Sequence, residues 1–184
     1  GAAALEAAGL APGRISHLAL LDTRVARLQP LMRLHDSPRI TDVERQVAAS
    51  TGHDWERLPQ VGYLFLEAAA RMRLSGVPLS ARDDFAPFGE GRGAARAARA
   101  WLDLLETTRA KQELDEPGLE AEQIAALSMP VLLMDAEYSR CRMSADALQR
   151  LLLRPVRVTV PGAGHFFPLS HGPWLIEQLV DFLG

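Results

Sequence analysis

Three short apolar runs constrain this chain more than any other feature: ISHLALL over residues 15–21, VLLM over 131–134 and VRVTV over 156–160. Each is short for a helix, rich in Leu, Ile or Val, and adjoins a stretch of helical periodicity. A run such as VLLM, with no polar position, needs cover on both faces. Helices that alternate with such runs supply that cover, on a parallel sheet joined by right-handed crossovers. The expected fold class is therefore α/β.

Around these runs the chain divides into three parts. Residues 1–11 (GAAALEAAGLA) are dense in the best helix former, with no N-cap residue ahead of them, and Pro12-Gly13 breaks the helix before the first strand. From about residue 30 to 118 no strand stands out. Helical periodicity runs over 42–50, 55–75 and 93–114, with SPR, TGHD and FAPFGEGRG as breaks. The segment ARAWLDLLETTRAKQEL is expected to present Trp101, Leu104 and Leu105 on one packing face. Beyond 118 the alternation resumes, with helices over 120–127 and 144–152 around the second and third strands. A last helix runs over 173–183, with Pro173 in its first turn and Leu175, Leu179 and Phe182 repeating on one face. The expected organisation is a core segment 1–29, a helical subdomain 30–118, and a second core segment 119–184.

Composition narrows the function classes. With 184 residues, 48% hydrophobic and 23% charged, the chain can bury a core. A net charge of -3 and a pI near 6.0 give no overall attraction to nucleic acid or an anionic membrane. One cysteine, Cys141, excludes an internal disulfide and a cysteine-rich zinc site, and no two histidines stand at HExxH spacing, so neither a metal nor another cofactor is expected. Cys141 lies between Arg140 and Arg142, which favours a thiolate, but with no base in view it reads as an exposed or half-buried thiol. FGEGRG at 88–93 lacks the preceding strand and the Lys-Ser/Thr of a phosphate loop, and Arg92, Arg96 and Arg99 read as a solvated helix face. No eighteen-residue apolar span and no signal pattern is visible, so a cytoplasmic location is expected.

In open parallel sheets, loops converge over the carboxyl ends of the strands, and reactive side chains gather there. Three such ends are visible: Asp22-Thr23, residues 135–139, and residues 161–165. The last holds VPGAGHFF, in which His165 follows a Gly-Ala-Gly turn between strand and helix. That setting fits a general base in acyl transfer better than an incidental loop histidine. His17 is placed inside the first strand, and His35, His53 and His171 lack such a setting.

IAALSMPVLLMDAEYS and VTVPGAGHFFPLSHGPWLIEQLVDFLG resemble the end of an α/β-hydrolase fold enzyme of the capped serine hydrolase or esterase type. In that family a proline-led apolar strand precedes the catalytic acid, and a Gly-x-Gly-His turn supplies the base. GAAALEAAGLAPGRISHLALLDT likewise resembles the helix after the nucleophile elbow and the strand that follows it, with the intervening helices as the cap. The resemblance spans the whole chain but only the second half of the fold. It implies an ester or similar carbonyl substrate, small and apolar, His165 as base, and a nucleophilic serine in a Gly-x-Ser-x-Gly turn two or three residues before Gly1. No such turn occurs within the 184 residues.

The family's Gly-Glu-x-Asp is replaced by Ala136-Glu137-Tyr138-Ser139, so Ser139 stands where the acid is usual. Three carboxylates remain as candidates: Asp22, at a strand end where some members of the fold carry their acid, Glu137 and Asp135. Asp22 in LLDT has an alternative role, satisfying local backbone amides. Trp55, Tyr63, Phe65, Phe85 and Phe88, with Leu64, Leu66 and Met72, either line an acyl pocket or form helix core. The competing expectation is a truncated or degenerate, non-catalytic relative that binds a ligand or a partner. A three-stranded sheet with open edges would then associate with itself or with the missing N-terminal half.

Overall fold

The computed structural model describes residues 1–59, 61–79, 87–88, 92–113 and 115–184. They form two compact units, one of Gly1–Pro30 with Glu116–Gly184 and the other of Leu31–Asp115.

The first unit is α/β. Its strands β1 (Leu18–Leu21), β2 (Val131–Ala136) and β3 (Pro155–Val160) form a parallel sheet in the order β1-β2-β3. Leu18 to Leu21 pair with Val131 to Met134, and Val131 to Ala136 pair with Pro155 to Val160. The first strand is shorter than the apolar run that predicts it, and His17 stands one residue before it. That ring packs edge-on against Phe182 at 5.4 Å. The second strand is two residues longer than expected and takes in Asp135.

Alternation assigns the side chains to the two faces. Leu18, Leu20, Val131 and Leu133 pack on one side with Leu5 and Ala8 of α1 (Ala2–Leu10), Ile124 and Leu148. Leu132, Met134, Ala136 and Val160 pack on the other with Phe167 and Leu175. Both faces of β2 are therefore buried, which is why its sequence is apolar from Val131 to Met134 without a break.

The second unit is helical, with α2 (Asp42–Thr51), α3 (Gly62–Leu74), α4 (Arg92–Thr107) and the short α5 (Ala110–Glu113). Thr41 starts α2 with a reciprocal capping box to Glu44, and Gly52 ends it in the left-handed conformation at φ 64°. Its core gathers Val43, Val47, Trp55, Val61 and Ala69, with Leu64, Phe65, Met72 and Phe88 packed against them. These aromatic and aliphatic side chains are helix core, the commoner of the two roles open to them; Phe85 lies outside the described residues. On α4 the buried positions are Ala94, Ala98, Leu102 and Leu105, whereas Leu104 is exposed. Of the expected face, Leu105 is buried and Trp101 packs against the cluster of Ala70, Ala98 and Leu102. Only Leu104 turns outward, because the small Ala94 and Ala98 join the packing face in its place. Arg96 and Arg99 face solvent.

In the α/β unit, α6 (Ala121–Ala125) precedes β2, α7 (Arg142–Leu151) joins β2 to β3, and α8 (Phe167–Ser170) and α9 (Gly172–Leu183) complete the chain. Among the described residues, no helix is long and apolar enough to cross a membrane.

Candidate active site

The carboxyl ends of the three strands carry a connected set of polar groups. Asp22 directly follows β1 and is only 4% exposed. Its backbone N–H donates to the Met134 carbonyl at 2.7 Å, which continues the β1–β2 pairing. Its φ of 43° is left-handed, a region that Asp tolerates better than most residues but at a cost in energy. Extended backbone would send this side chain onto the same face as Leu18 and Leu20; the left-handed turn removes it from that alternation. Outliers of this kind concentrate at working sites.

Asp22 Oδ2 lies 2.6 Å from His165 Nδ1, and its Oδ1 accepts from the Ala136 N–H at 3.3 Å. The carboxylate therefore bridges the end of β2 and the histidine loop. Its other reading, as a group that serves only backbone amides close in sequence, is replaced by these two distant partners. Gly1 abuts the same place: a Cβ on Gly1 would fall 1.8 Å from Thr23 Oγ1, so a larger residue there would require the Thr23 side chain beside Asp22 to shift.

His165 follows β3 on a turn tied to the loop after β2. Glu137 N–H donates to the Val160 carbonyl, and Tyr138 N–H to the Ala163 carbonyl, both at 3.0 Å. Glu137 Oε2 accepts from Gly162 N–H at 2.6 Å. Of the two glycines in Gly-Ala-Gly, Gly162 takes the left-handed conformation, at φ 66°, and Gly164 does not. The histidine side chain remains 57% exposed, with its ring edge-on to Phe166 at 5.2 Å. Burial opposes its positive charge, but the hydrogen bond and charge of Asp22, together with the nearby Cys141 sulfur, outweigh it and push the imidazole up to about 10.

The other two carboxylates are engaged elsewhere. Glu137 holds the turn through Gly162. Asp135, 1% exposed, points to the α7 face of the sheet and forms a two-pronged pair with Arg157, at 2.7 Å to Nε and 3.0 Å to Nη2. Arg157 also reaches Asp146 and Gln149 of α7. Ser139 is buried, and its Oγ accepts from the Cys141 N–H at 2.8 Å.

Two features had no distinct signal in the sequence. Cys141, expected as an exposed or half-buried thiol with no base, is 5% exposed and its sulfur lies beside His165 and Asp22. One ligand atom from each of Asp22, Cys141 and His165 lies within 4.8 Å of the others. The second is a buried amide and hydroxyl pair. Gln29 Oε1 accepts from both the N–H and the Oγ–H of Ser144, Gln29 Nε2 donates to the Arg140 carbonyl, and Ser144 Oγ accepts from Val25 N–H. It fastens the segment after Asp22 to the start of α7. A glutamine 1% exposed is unusual enough to mark such a role, but nothing in its neighbours foretells the burial.

The parallel sheet with helices on both faces is a fold shared with solved hydrolases. Carboxylesterase CesB from Bacillus subtilis superposes with a TM-score of 0.51 at 17% identity, over 96% of this chain and 54% of its own. The fold is that of an α/β hydrolase, in part. The meta-cleavage product hydrolase from Pseudomonas fluorescens IP01 matches with a TM-score of 0.55 at 14% identity, over 98% of this chain and 60% of its own. The 2-hydroxy-6-oxo-6-phenylhexa-2,4-dienoate hydrolase from Rhodococcus sp. strain RHA1 gives 0.53 at 13%, over 99% and 60%. The chain thus spans little more than half of the α/β-hydrolase structures it matches. No protein-family model and no curated protein matches the sequence.

Proposed function

We propose that this chain is the acid- and base-bearing part of a serine hydrolase acting on a small, apolar ester or similar carbonyl substrate, with the unit Leu31–Asp115 as its cap. The observation that carries the reading is the contact between His165 Nδ1 and buried Asp22. A carboxylate on Nδ1 orients the ring and stabilises the imidazolium, which leaves Nε2 to take a proton from a nucleophile and return it to the leaving group. Asp22 is the acid in this reading; Glu137 and Asp135 are not, since each is held by a partner of its own.

The nucleophile is a serine two or three residues before Gly1, in the strained turn that opens α1. The absence of Cβ at Gly1 supports this, because it lets the start of α1 lie against Thr23, next to Asp22. The hydrolase structures that the chain resembles support the chemical class. An activity-based fluorophosphonate probe tests the assignment on the protein carrying that turn, with the labelled residue located by mass spectrometry. Label on the upstream serine, lost in His165→Ala, is the expected result. Label within residues 1–184 overturns it, and no label together with no ester turnover supports the non-catalytic relative instead.

A further inference from the structure

We propose that Asp22, Cys141 and His165 form a binding site for a thiophilic divalent cation of the Zn²⁺ class. The three residues come from the end of β1, the loop after β2 and the loop after β3, and their ligand atoms all fall within 4.8 Å of one another. Zinc bonds to sulfur, nitrogen and oxygen at about 2.0–2.3 Å, so ligands on one tetrahedral ion stand roughly 3–4 Å apart. The cluster is close to that size. The hydrogen bond between His165 and Asp22, at 2.6 Å, has to widen by about an ångström or less as the ion takes the place of its proton.

The donor set selects the ion. Thiolate, imidazole and carboxylate together suit Zn²⁺, whereas Mg²⁺ and Ca²⁺ prefer oxygen ligands throughout. Asp22 and Cys141 are both buried, so a doubly charged cation offsets the buried carboxylate and the thiolate that metal binding creates. Each is anchored from behind: Asp22 Oδ1 by Ala136 N–H, and the Cys141 backbone by Ser139 Oγ. His165, with 57% of its side chain exposed, gives the ion an entry route and leaves a fourth position for water. Binding is not a redox step. The Cys141 thiol loses its proton to solvent, the histidine loses one if it is charged, and three bonds to the metal form.

If the hydrolase reading holds, the same ion removes the base from service, so zinc inhibits. That consequence rests on the proposed function; the binding site itself does not.

The test uses metal-stripped protein titrated with Zn²⁺ against a chromophoric chelator, and with Co²⁺ as a spectroscopic substitute. Cys141 is the single cysteine, so a thiolate-to-cobalt charge-transfer band reports on this site without any variant. Expected are one ion per chain, that band, and a loss of zinc affinity of at least about tenfold in both Cys141→Ser and His165→Ala. Cobalt binding without the band, zinc affinity unchanged in both variants, or no binding at all overturns the proposal. Ester turnover is read separately, on metal-stripped protein that carries the upstream serine turn. Turnover without zinc binding removes the metal site and keeps the hydrolase reading, and zinc binding without turnover does the reverse.

Discussion

His165 Nδ1 and Asp22 Oδ2 meet at 2.6 Å although 143 residues separate them in the chain. A contact so distant in sequence holds only because β1 and β3 flank the same strand and end at the same edge of the sheet. Under the proposed hydrolase reading it places Asp22 ahead of Glu137 and Asp135 as the acid. In the protein with its elbow serine, Asp22→Asn is expected to lower kcat for an activated ester by roughly 10³–10⁴-fold, the scale for a triad acid whose loss favours the wrong imidazole tautomer. Glu137→Gln is expected to change kcat only a few-fold. Comparable losses in the two variants, with unchanged melting temperatures, would remove Asp22 from its role.

The pH dependence follows from the same pair. The folded-state value for His165 is raised from 6.5 to about 10. The pairing therefore contributes its full stability below about pH 6.5 and loses it as pH rises through about 10. A base works only when neutral, so the hydrolytic rate should climb through the alkaline range rather than level off near neutrality. Asp22→Asn should move that climb to lower pH. Titration of the imidazole by NMR checks both statements, and a midpoint at or below 6.5 in the unsubstituted protein would contradict them.

Arg157 and Asp135 offer a stability test away from the histidine. Arg157→Met leaves a carboxylate 1% exposed without its cation, and breaking a buried pair from one side costs about 3–5 kcal/mol. Urea denaturation should show the midpoint fall with little change in slope. Replacing both residues, Arg157→Met with Asp135→Leu, should recover much of the loss, since no buried charge is then left unpaired.

Gly162→Ala probes the turn beneath the histidine. At φ 66° an alanine costs about 1–2 kcal/mol, and space for a Cβ is open, so strain and not collision sets the penalty. The same substitution at Gly164, whose φ is not positive, should cost less of that strain. Thermal melts of the two variants make the comparison.

Ser144→Ala removes the hydroxyl that accepts from Val25 N–H, leaving a buried amide without its acceptor. The expected cost is about 1–3 kcal/mol. Because Val25 lies three residues after Asp22, slower ester turnover with KM unchanged is also expected. A loss confined to stability would limit Gln29 and Ser144 to a structural role.

The alternation of apolar runs with helical periodicity was enough, by itself, to specify a parallel α/β unit, because strands such as VLLMDA are soluble only when both faces are covered. The sequence also singled out His165, since a histidine between a strand and a helix, after a glycine turn, sits where loops converge. It could not rank Asp22, Glu137 and Asp135. All three lie at or beside a strand end, and what separates them is where each side chain points. Strand pairing and the left-handed backbone at Asp22 decided that, together with the partners Arg157 and Gly162 that hold the other two carboxylates. Cys141 shows the same limit: local sequence carries its neighbours along the chain, but only the packed sheet brings its sulfur to a histidine and an aspartate from two other strand ends.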